Sequence, residues 1–91
     1  MDRYACLDGY RDEAGRFTQL PGKRQKIKQD LMLESLAEYF RPGLRYSEKE
    51  INETLNAHHT FNDPATLRRM MFGRKLLNRT VDGRAYWRTS K

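Results

Sequence analysis

The chain has 91 residues, with 18 Lys and Arg against 12 Asp and Glu, a net charge of +6 and 37% apolar residues. That describes one small basic domain. A chain this short buries only about 60–65% of the surface its unfolded form exposes, which excludes an active site walled by several domains. No apolar run approaches the roughly 18 residues of a membrane span and no basic-then-apolar leader opens the chain, so a cytoplasmic protein with no membrane partner is expected.

The single cysteine, Cys6, allows neither an internal disulfide nor a CxxC-type zinc site. Around it, Leu7 to Arg11 and Arg16 to Leu20 read as a loose hairpin about Asp12-Glu13-Ala14-Gly15. The expectation is a loosely structured N-terminal extension over 1–20, followed by a domain over 21–91.

Pro21-Gly22 breaks the chain, and Lys23 to Phe40 contains no Gly, no Pro and no β-branched residue except Ile27, which predicts a helix ending at Arg41-Pro42-Gly43. Met32, Leu33, Leu36, Ala37 and Phe40 make one stripe for a core. Ile27 and Leu31 fall off that stripe, to be covered either by the N-terminal segment (Tyr4, Leu7, Phe17, Leu20) or by a second copy of the chain in a homodimer.

After a short strand at Leu44 to Tyr46, Ser47 and Glu50 stand at the spacing of a capping box and open a second helix. Ile51, Leu55 and His58 are expected inward, His59 in solvent, and the helix end near His59 or Thr60. Asp63 then caps a third helix, over about 64–75, with Pro64 at its first position. Leu67, Met70 and Met71 form its buried side, and Arg68, Arg69, Phe72 and Lys75 project on the opposite arc.

Asp82-Gly83 predicts a type I′ turn between Leu76–Val81 and Arg84–Thr89. A hairpin of that register puts Leu77 and Tyr86 on one face and Leu76 and Trp87 on the other, so only one of the two aromatic residues belongs fully to the core.

Helix, short strand, helix, turn, helix, hairpin is the element order of a winged helix, an α+β fold of three helices with a C-terminal β-hairpin wing, here about 77–89. Charge supports a role for its last third. Residues 66–91 hold eight Lys and Arg against one acid, Asp82, a net +7, whereas residues 47–65 carry −3. A surface so biased suits a polyanion.

Read this way, Thr66, Arg68, Arg69 and Lys75 on the third helix contact duplex DNA, and Arg79, Thr80 and Arg84 on the wing reach phosphates or an adjacent minor groove. Lys23, Arg24, Lys26 and Lys28 at the start of the first helix supply a further backbone contact, against that helix's N-terminal dipole unless an anion is near. The function expected is that of a non-catalytic DNA-binding regulator of transcription. The alternative is a protein-interaction or dimerisation module using Ile27, Leu31 and Phe72.

Other chemistry finds little support. His58, His59 and Asp63 are metal-ligand types, but adjacent histidines on a helix point about 100° apart. Cys6 has no base placed beside it by local spacing, and Gly9, Gly15 and Gly22 match no phosphate-loop spacing. No cofactor and no metal are expected.

Gly15-Arg16-Phe17, Leu20-Pro21, Tyr46-Ser47-Glu48-Lys49-Glu50-Ile51-Asn52, Phe61 to Arg69 and Leu76 to Arg88 together resemble a bacterial family of small winged-helix-like domains of unknown function, found alone or behind an ArsR-type DNA-binding domain. The most specific piece is the Asp-x-Ala-Thr-Leu-Arg-Arg run with the later Leu-Leu-x-Arg and Tyr. The resemblance covers Gly15 to Arg88 and implies a fold and a regulatory role. It brings no substrate or catalytic residue, and marks Arg68 and Arg69 only as positions typical of the family.

Overall fold

The structure, a computed structural model, describes residues 4–89. A 3-10 helix over Ala5–Tyr10 precedes α1 (Lys26–Ala37), β1 (Arg45–Tyr46), α2 (Glu48–Asn56), α3 (Pro64–Gly73), β2 (Leu77–Arg79) and β3 (Tyr86–Arg88). The strands form one antiparallel sheet in the order β1-β3-β2. This is a small α+β fold with the helices and the sheet around one core.

Over residues 4–20 the expected loose extension is packed against the rest of the chain. Leu7 is fully buried and Phe17 nearly so, both within the same core cluster as the helices. The expected hairpin shrinks to a single bridge, Arg11 to Phe17, while the Phe17 amide donates to His58 O (2.9 Å) and the Thr60 amide to Phe17 O (2.8 Å). The segment is thus tied to the end of α2 by backbone hydrogen bonds as well as by apolar burial.

α1 is shorter than the sequence suggests at both ends. After Ala37 the amides of Glu38, Tyr39 and Phe40 bond three residues back, the tighter turn common at helix termini. The predicted stripe is nevertheless the core face: Met32, Leu33, Leu36, Ala37 and Phe40 are all buried. Leu31 packs partly against the core, whereas Ile27 stays 77% exposed. The pair expected at a dimer seam is therefore split.

Ser47 and Glu50 make the full capping box: the Glu50 amide donates to Ser47 Oγ (3.1 Å) and the Ser47 amide to Glu50 Oε1 (2.9 Å). Replacing Ser47 by alanine leaves a helix amide without its acceptor and is expected to cost about 1 kcal/mol, measurable by urea unfolding.

The histidines exchange the places expected for them. α2 stops at Asn56, and the His58 amide bonds Leu55 O in a three-residue turn. The α-helical phase is lost there, so His59 and not His58 turns into the core, 3% exposed. Its two partners fix the tautomer: Nδ1–H donates to Leu55 O (2.6 Å) and Nε2 accepts from the Asp63 amide (2.9 Å).

His58 instead stacks on Tyr39, ring centroids 3.6 Å apart at 9°. Burial lowers its pKa from the ordinary 6.5 because the charged ring is poorly solvated there. An NMR titration is expected to find His58 still neutral just below pH 6.5. The stability this contributes is complete above 6.5 and is lost as pH falls through the lowered value.

α3 begins as predicted, with Pro64 in its first turn and Asp63 accepting from the Thr66 amide (3.2 Å). It ends at Gly73, and Lys75 follows in the left-handed region at φ 62°. The hairpin has the expected register, with Leu77 opposite Arg88 and Arg79 opposite Tyr86. Tyr86 is the aromatic residue of the core, and Trp87 lies half-buried beneath the Arg45 guanidinium (4.9 Å).

The connecting turn differs from type I′, which needs positive φ at both central residues. Among the described residues around it only Gly83 (φ 74°) has one. Asp82 is held instead by its own carboxylate, which accepts from Thr80 Oγ1 (2.6 Å) and from the Arg84 amide (3.1 Å), while the Gly83 amide closes on Thr80 O (3.0 Å).

Candidate functional site

The exposed side of α3 and the β2-β3 hairpin face each other across a cleft of about 270 Å³ bordered by Glu48, Arg68, Arg69, Phe72, Arg79, Asp82, Gly83 and Tyr86. Local structure explains the convergence. Arg68, Arg69 and Phe72 lie on consecutive turns of α3, and Arg79 stands opposite Tyr86 on the hairpin, with its guanidinium over the Phe72 ring (5.0 Å). Phe72 therefore joins helix to hairpin through a cation–π contact.

The arginines of the cleft are not equivalent. Arg68, its side chain only 13% exposed, donates to Glu48 Oε1 (2.9 Å) and to Asn52 Oδ1, and lies 5.9 Å from the Tyr86 ring centre. It does not project freely from the outer arc. Glu48 and Asn52, four residues apart on α2, both bond the guanidinium, which ties α3 to α2. Arg69 is exposed and bonded only to Ala65 O (3.3 Å). Arg84, 88% exposed in its side chain, stands 3.5 Å from Asp82 Oδ2 on the hairpin loop, a pairing weak at such exposure.

The two hydroxyls expected to contact DNA, on Thr66 and Thr80, are engaged within the chain. Thr66 sits beside Asp63, and its hydrogen bonds hold the Asp63 carboxyl below the ordinary 3.8. Thr80 Oγ1 donates to Asp82 and accepts from the Ala85 amide (3.2 Å), so it is part of the loop's own framework. The Thr80 hydrogen bond likewise lowers the Asp82 pKa from 3.8. Lys75 is exposed just beyond α3, bordering a neighbouring depression with Phe72, Leu77 and Asn78.

The basic start of α1 is not brought to this cleft. Lys23 and Arg24 are exposed, Lys28 lies over the Tyr10 ring (5.4 Å), and Lys26 borders a separate groove with Asp30, Glu34, Met70 and Arg74. Arg74, absent from the residues singled out by sequence, bonds Asp30 and Gln29 Oε1 (3.1 Å), and Gln29 Nε2 in turn donates to Pro21 O (2.6 Å). It fastens the end of α3 to α1, forty-four positions away; no local spacing signals such a pair.

Among the described residues no group of three or more His, Cys, Asp or Glu is placed to hold a metal ion, and no helix is long and apolar enough to cross a membrane. Residues 16–88 match a family described as uncharacterized protein conserved in bacteria (DUF2087), nearly the stretch over which the sequence motifs show their resemblance. No curated protein and no solved structure matches the chain.

Proposed function

The chain belongs to this bacterial family, and from that premise we propose that its fold is a winged helix that binds duplex DNA without catalysis, as a regulator of transcription. One observation carries the reading: the sheet order β1-β3-β2, with β1 between α1 and α2, sets the β2-β3 hairpin beside α3. Of the exposed cations, Arg69 and Arg79 then line the cleft between them, Lys75 borders the neighbouring depression, and Arg84 stands beside Asp82 on the hairpin loop. Arg68 is the residue that positions α3, and the other four supply the charge that meets phosphates.

Fluorescence anisotropy of a labelled duplex, titrated at two or more salt concentrations, tests the reading. Four phosphates neutralised give a log–log salt slope of about −3.6, which is a loss of ~10²-fold in affinity from 50 to 200 mM salt. Absence of binding at low salt removes the proposal.

The second reading, a protein-interaction module, draws on Glu48 and Asp82, whose carboxylates border the same cleft and make it of mixed sign. An acidic groove wall suits a charged peptide partner better than a phosphate backbone. Binding to a protein partner without binding to duplex DNA at low salt would favour it.

A further inference from the structure

On another side of the core, the N-terminal segment closes over the last turn of α1 and the end of α2 around a cleft of about 390 Å³, a size within the ~300–1,000 Å³ of small-molecule sites. It shares no lining residue with the cleft between α3 and the hairpin. Two opposite charges border it, and neither has an ion-pair partner among the described residues. The Arg11 guanidinium lies over the Phe17 ring (5.1 Å), and its Nε is shut off from solvent with no hydrogen-bond partner. The Glu38 carboxylate, on an exposed residue, makes no ion pair or hydrogen bond among the described residues.

The two outer guanidinium nitrogens also have no hydrogen-bond partner among the described residues but, unlike Nε, are open to solvent, so a ligand's acceptor can reach them. A simple carboxylate would satisfy Arg11 but stand near Glu38, and a simple amine would meet the reverse conflict. A molecule carrying both charges satisfies both. Four of the other seven lining residues carry rings: Tyr4, Phe17 beneath Arg11, and the stacked pair Tyr39 and His58. Flat rings favour offset or edge contacts with another ring.

We infer that this cleft binds a free α-amino acid with an aromatic side chain, its carboxylate on Arg11, its ammonium on Glu38 and its ring against the Tyr39–His58 stack. Tyr4, Arg11, Ala14 and Gly15 precede residues 16–88, so the site joins the N-terminal segment to the family-matched part of the chain. It does not depend on whether the protein binds DNA.

The test is calorimetry together with amide NMR on the full chain, using L-phenylalanine, 3-phenylpropionate, which lacks the amine, and 2-phenylethylamine, which lacks the carboxylate. L-Phenylalanine is expected to bind saturably and to shift the amides about Tyr39 and His58, with each analogue at least about tenfold weaker. Arg11→Gln and Glu38→Gln are each expected to weaken L-phenylalanine by a similar factor. Glu38 is exposed and outside the core, so its variant tests the site even if Arg11→Gln disturbs Phe17. No saturable shift at millimolar L-phenylalanine overturns the proposal. So does equal binding of the three compounds, or binding indifferent to Glu38→Gln in the folded variant.

Discussion

Replacing Arg69, Arg79 and Arg84 together by alanine is expected to abolish most of the salt-dependent affinity for duplex DNA, reducing the slope by about 2.7 if each contacts one phosphate. All three are exposed, and their removal leaves no buried partner stranded. Stability should change by ~1 kcal/mol or less, because Arg79 gives up its cation–π contact with the exposed Phe72 ring. Arg68→Ala separates structure from contact. Its loss leaves Glu48 and Asn52 without their shared donor, and a cost of ~1 kcal/mol in stability is expected because Glu48 remains half exposed. Anisotropy and urea unfolding of both variants check this division. Unchanged DNA affinity in the triple variant would remove the assigned face.

Leu7→Ala is the substitution with the largest expected effect on stability. Leu7 is fully buried in the cluster that includes Phe40, Leu55 and Leu67, and truncating such a side chain costs about 2–5 kcal/mol. In a domain of this size each kcal/mol lowers Tm by roughly 4–8 °C, so a fall of about eight degrees or more is expected in a thermal melt. Ile27→Ala, on a residue 77% exposed, serves as the contrast, with a change of ~0.5 kcal/mol or less. Equal effects would mean that the N-terminal segment contributes no packing.

What could be read in advance follows from the range over which each signal acts. Ser47 with Glu50, Asp63 with Pro64, and the stripe from Met32 to Phe40 are local patterns that their own helices enforce, and all three appear in the structure. The hairpin register was equally legible, because Asp82-Gly83 centres the pairing even though the turn adopts another conformation. Leu7 carried no such signal: a 3-10 helix of six residues has no amphipathic stripe long enough to detect. His58 and His59 were misplaced because extrapolating a 100° wheel fails once α2 tightens after Asn56.

Charge was the least legible. Residues 66–91 are strongly basic as a segment, yet Arg68 pairs with Glu48, Arg74 with Asp30 on α1, and Arg88 donates to Phe40 O (3.3 Å). Those three arginines fasten elements to one another. A segment sum cannot distinguish them from Arg69 or Arg84, because their acceptors lie 16 to 48 positions away in the chain.

Trp87 is the chain's one tryptophan, on the middle strand of the sheet and capped by Arg45 from β1. The protein thereby carries its own optical gauge. Peeling β1 away lifts a cation from the indole and admits water to it, so ultraviolet emission follows the integrity of the sheet without any attached dye. An aromatic effector seated beside Tyr39, or a duplex lying along α3, would be reported only as far as it loosens or tightens those three strands.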